Sequence, residues 1–81
     1  MGNRELRDTF NETASPDAKC IKALLNYKPQ GGVEYQILTF SGNFADGTGF
    51  VIQSDLVRPG GDVMLAARAA AEKLLAQRRG S

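Results

Sequence analysis

Eighty-one residues, 42% of them hydrophobic and 23% charged, suffice for one small globular domain and exclude both a disordered chain and a multidomain one. Ten Lys and Arg against nine Asp and Glu leave a net charge of +1. That balance excludes a strong global field toward nucleic acid or an anionic membrane, so such a partner needs a local patch.

The first ten residues carry Arg4, Glu5, Arg7 and Asp8 where a secretion signal has an apolar run. No stretch is long and apolar enough to span a bilayer. Cys20 has no second cysteine to pair with, and without histidine there is no Cys/His zinc cluster. A cytoplasmic protein without membrane contact or cofactor is expected. Leu6 and Phe10 are one helical turn apart among charges, which predicts a partly ordered arm over residues 1–14 that lays two apolar side chains on a body formed by residues 15–79.

Ser15-Pro16-Asp17 has the residues of a helix start: a capping hydroxyl, a proline suited to the first position and an acid for the positive end of the dipole. The spacing predicts a helix over 16–27, with Cys20, Ile21, Leu24 and Leu25 on one stripe and Lys19, Lys22 and Asn26 on the other. Pro29 and Gly31-Gly32 end it.

Residues 33–41 and 49–57 are rich in β-branched and aromatic side chains, and Asp46-Gly47 between them suits a tight turn, so a β-hairpin follows. A two-residue loop puts Ala45 opposite Thr48, Thr39 opposite Ser54 and Asn43 opposite Phe50. In that register Val33, Tyr35, Ile37, Phe50, Ile52 and Leu56 share one face. Leu38, Phe40, Val51 and Val57 share the other, and a two-layer domain leaves one of two such apolar faces without a cover.

Arg58-Pro59-Gly60-Gly61 breaks the strand, and Asp62 caps a helix running to about Arg78. Val63, Met64, Ala67, Ala70, Ala71, Leu74 and Leu75 fall on its inner face. Leu65 and Ala69 fall on a small-residue outer face. The fold class is α+β: a small two-layer domain in the order helix, β-hairpin with room for a third short strand, helix, preceded by the arm.

No constellation for catalysis stands out, because the carboxylates are scattered singly and each has a capping, turn or pairing role within reach. The expected function is a non-enzymatic protein-interaction module, a homodimer or an adaptor or inhibitor of a larger protein. Leu38, Phe40, Val51, Val57, Leu65 and Ala69 are its expected interface.

Val33-Glu34-Tyr35-Gln36-Ile37-Leu38 resembles the first strand of the double-stranded RNA-binding domain, and the run from Ala66 to Leu75 resembles that family's closing helix. The resemblance implies the order helix, strands, helix and a nucleic-acid partner. The chain departs from the family in lacking its Gly-Pro-x-His loop and in having Asp62 and Val63 where the family has paired lysines. Lys19, Lys22, Lys28, Arg78 and Arg79 are the basic residues that this alternative reading puts against nucleic acid.

Overall fold

The structure, a computed structural model, describes residues 2–80. Its elements are α1 (Gly2–Ala14), β1 (Ala18–Gln30), β2 (Val33–Phe44), β3 (Gly49–Gln53) and α2 (Val63–Arg79). The strands are antiparallel in the order β1-β2-β3. Residues of both helices meet one sheet face in a single core, which gives the expected α+β order of helix, sheet and helix.

The first helix, however, is α1, and the helix expected over 16–27 is the strand β1. Ala18, Cys20 and Ala23 turn to the core, with Leu25 packed at its margin. Lys19, Lys22 and Leu24 turn away. The register shifts between Cys20 and Lys22, so Ile21 is an extra residue in the strand, 60% exposed. That bulge interrupts the two-residue alternation and gives the apolar positions a spacing that also fits a helix.

Pairing partners decide between the two. Gly31 and Gly32 have φ of 57° and 80°, the positive values of a two-residue hairpin turn, and they bring Gln30 opposite Val33. The glycine pair therefore turns the chain between strands and does not end a helix. Ser15-Pro16-Asp17 is the turn out of α1: Ser15 N–H donates to the Asn11 carbonyl at 2.9 Å and Asp17 N–H to that of Ala14 at 3.0 Å.

Helix α1 buries Leu6, Phe10 and Ala14. The Phe10 ring stacks on Phe40 and Phe50, with centroids 4.5 and 5.9 Å away. A 13-residue helix is marginal alone. These aromatic contacts hold it on the sheet.

The β2–β3 loop is one residue longer than the sequence predicts. Gly47 N–H donates to the Phe44 carbonyl at 2.9 Å and Phe44 N–H to the Thr48 carbonyl at 2.7 Å. Ala45, Asp46 and Gly47 thus form a three-residue loop closed by Gly47 at φ 91°. Thr39 consequently faces Gln53 and Asn43 faces Gly49. A one-residue slip moves a whole strand's side chains to the opposite face. Phe50 and Ile52 join Leu38 and Phe40 in the core, leaving Val51 outside at 73% exposure. The expected split of apolar residues over two faces is therefore corrected: Leu38 and Phe40, each 0% exposed, are core and not interface.

Beyond β3, Ser54 N–H donates to the Leu38 carbonyl at 2.8 Å, and the Ser54 hydroxyl accepts from Leu38 N–H at 3.0 Å. Val57 then bridges to Gln36. Helix α2 matches its expectation. Asp62 caps it, accepting from Met64 and Leu65 N–H at 3.0 and 3.1 Å. Ala67, Ala70, Ala71, Leu74 and Leu75 are its buried residues.

Candidate functional site

Because both helices sit on one face of the sheet, the other face is open. Strand alternation assigns Lys19, Lys22 and Lys28 to that open face. They pair across β2 with Asn43, Ser41 and Tyr35. Lys19 and Lys22 are an odd number of positions apart, so a regular strand would put them on opposite faces. The Ile21 bulge brings them to the same one. Among the described residues, no Asp or Glu of the three strands points to this face; Glu34 in β2 shares the alternation of Leu38 and Phe40.

A cleft of about 340 Å³ runs between α1 and β1, lined by Asn3, Arg4, Arg7, Ile21, Lys22 and Leu24 along with Ala23. Arg4 and Arg7 lie three apart on α1 and so share a helix face. Lys22 belongs to both the cleft and the open face, which joins them into one basic strip. Arg7 also lies 3.7 Å from the Asp8 carboxylate, an exposed contact of little energetic weight. Sequence reasoning missed Arg4 and Arg7 as site residues, since an arm of unknown placement gives no reason to choose among its charges.

The remaining nucleic-acid candidates lie elsewhere. Arg78 forms an ion pair with Asp46 and places its guanidinium 4.1 Å over the Phe44 ring. It ties the end of α2 to the β2–β3 loop. The Asp46 carboxyl is held below the usual carboxylate range, first by hydrogen bonds from Thr48 and then by Arg78. Arg79 is exposed beside it at the end of α2, in the helix layer.

Of the expected interface residues, Val57, Leu65 and Ala69 come together. They line a groove of about 340 Å³ between α2 and the segment after β3, walled also by Leu56 and Ala66 and edged by Asp55, Arg58, Asp62 and Lys73. Val51 projects from the open face, apart from that groove.

Both sheet edges carry side chains that engage backbone groups. On β1, Cys20 N–H donates to Asn11 Oδ1 at 2.7 Å, and Asn11 Nδ2 donates to the Cys20 carbonyl at 3.1 Å. On β3, Lys73 Nζ donates to the Gln53 carbonyl at 3.0 Å and lies 3.8 Å from Asp55. Edges with a bulge, a proline and lysines resist addition of another strand.

The Cys20 thiol is buried, donates to the Lys22 carbonyl at 3.3 Å and has its pKa pushed up by burial. Among the described residues, no group of three or more Cys, Asp or Glu stands close enough to hold a metal ion, and no helix is long and apolar enough to cross a membrane. No protein family, curated protein or solved structure matches the chain. Of the two stretches that resemble the RNA-binding family, Val33–Leu38 lies in the second strand, not the first, and Ala66–Leu75 lies in α2.

Proposed function

We propose that the protein is a non-enzymatic binding module that holds nucleic acid on the open face of its sheet. One observation carries this reading: a chain with a net charge of only +1 gathers Lys19, Lys22 and Lys28 on a face whose strands contribute no carboxylate. Phosphate contacts from such a strip supply sequence-independent affinity. The Asn43 amide and the Ser41 and Tyr35 hydroxyls opposite the lysines suit hydrogen bonding to sugar and base edges. A buried thiol and singly placed carboxylates support binding over catalysis, and a free cysteine fits a cytoplasmic setting. The test is anisotropy of labelled DNA and RNA across a salt series. Affinity should drop about tenfold or more for a fourfold rise in salt and should be lost in the triple variant Lys19→Glu, Lys22→Glu, Lys28→Glu. Unchanged binding by that variant rejects the site.

The second reading is a protein-interaction module, favoured by the convergence of Val57, Leu65 and Ala69 on one apolar groove. The groove holds only a few side chains, which suits a short apolar segment of a larger protein more than the roughly 800 Å² per partner of a stable dimer. Self-association through a strand edge loses support from the Asn11 and Lys73 contacts. Leu65→Glu should abolish such docking and leave nucleic-acid binding intact.

A further inference from the structure

Resting on the nucleic-acid reading, we infer that the ligand is a single strand whose phosphates follow β1 from Lys19 past the Arg4–Arg7–Lys22 cleft to Lys28, with its bases turned onto the β2 column. The cations that the strands contribute lie along one side of the face, and Lys73 at the β3 edge is engaged by the Gln53 carbonyl and Asp55. β1 carries Lys19, Lys22 and Lys28, whereas the outward residues of β3 are Gly49, Val51 and Gln53, without charge. A duplex offers two phosphate rows separated by a groove and calls for cations on both sides. One row of cations beside an uncharged surface fits one strand.

That surface has the character that bases require. Lys28 faces Tyr35, Lys22 faces Ser41 and Lys19 faces Asn43, so each phosphate contact has a ring or a hydrogen-bonding group next to it in the neighbouring strand. Tyr35 offers a stacking face to any base. Eight strand steps separate Lys19 from Lys28, as their partners Asn43 and Tyr35 show, about 26 Å at about 3.3 Å per residue. That spans about eight stacked nucleotides at about 3.4 Å each. At the cleft, Arg4 and Arg7 add forked donors that grip a phosphate with two hydrogen bonds.

Anisotropy with fluorescein-labelled oligothymidylate and oligouridylate about 12 nucleotides long, beside a duplex of the same length, separates the outcomes. The single strands should bind at least about tenfold more tightly than the duplex. Arg4→Gln and Arg7→Gln should each flatten the salt dependence by about 0.7 in log–log slope. Tyr35→Ala should cost about tenfold in affinity with the slope unchanged, and Tyr35→Phe should restore it. Circular dichroism of each variant verifies the fold. Duplex binding equal to or tighter than single-strand binding, or neutral behaviour of both arginine variants, overturns this inference while leaving the open-face reading in place. Failure to bind any nucleic acid overturns both.

Discussion

Asn11 and Cys20 exchange two hydrogen bonds, side-chain amide against backbone, at 2.7 and 3.1 Å. The pair reproduces what a neighbouring strand would offer the edge of β1, so α1 completes the sheet with one side chain. It also holds the backbone immediately before the Ile21 bulge, which sets the direction of Lys22.

Replacing Asn11 with Ala leaves both Cys20 groups without this partner and should lower stability by about 2 kcal/mol. Asn11→Asp, which keeps an acceptor and loses the donor, should also destabilise by setting a carboxylate against the Cys20 carbonyl. Urea denaturation measures both. Wild-type midpoints would show that the amide contributes nothing net.

Gly42 sits opposite Cys20 at the bulge, where a Cβ would fall 2.0 Å from the Lys19 carbonyl oxygen. Backbone on the other side cannot yield as a flexible side chain does. Gly42→Ala should cost about 3 kcal/mol, read as a drop in thermal midpoint. An undisturbed variant would disprove the close approach of β1 and β2.

Phe40 and Val51 report on the β2–β3 register. Phe40→Ser removes a ring stacked on Phe10 and should cost about 4 kcal/mol, enough to unfold a marginal domain. Val51→Ser, on the exposed face, should shift stability by no more than about 0.5 kcal/mol. Equal losses of stability in the two variants would restore the register of the two-residue loop, in which Phe40 and Val51 share a face.

The Asp46 carboxyl, held low by Thr48 and Arg78, links loop stability to pH. Its folded pKa lies below the unfolded one, so its contribution is present above the ordinary carboxylate range and disappears as pH falls through the depressed value. Asp46→Asn should therefore flatten the acid limb of the stability curve. Denaturation midpoints from pH about 2 to about 6 check this, and parallel curves for the two proteins would refute it.

Local chemistry was enough to determine α2 and the hairpin that follows Val33. Asp62, the inner face from Ala67 to Leu75 and the Pro59-Gly60-Gly61 break act over a few residues, and no distant contact changes their meaning. The helix-sheet-helix order and α+β class were also readable, although the first helix is α1 in the arm and not residues 16–27. Tertiary structure decided the rest. Residues 18–30 fit a helix by spacing, and only pairing with β2 makes them a strand. The third loop residue turned Phe50 and Ile52 inward together with Leu38 and Phe40, since side-chain direction in a sheet depends on counting residues across a turn. The basic strip had the same origin: Lys19, Lys22 and Lys28 share a face because of one bulge, and Arg4 and Arg7 reach it because Phe10 fixes α1 on the sheet. Each of these depends on which distant segment a residue meets, information that the spacing of residues along the chain does not contain.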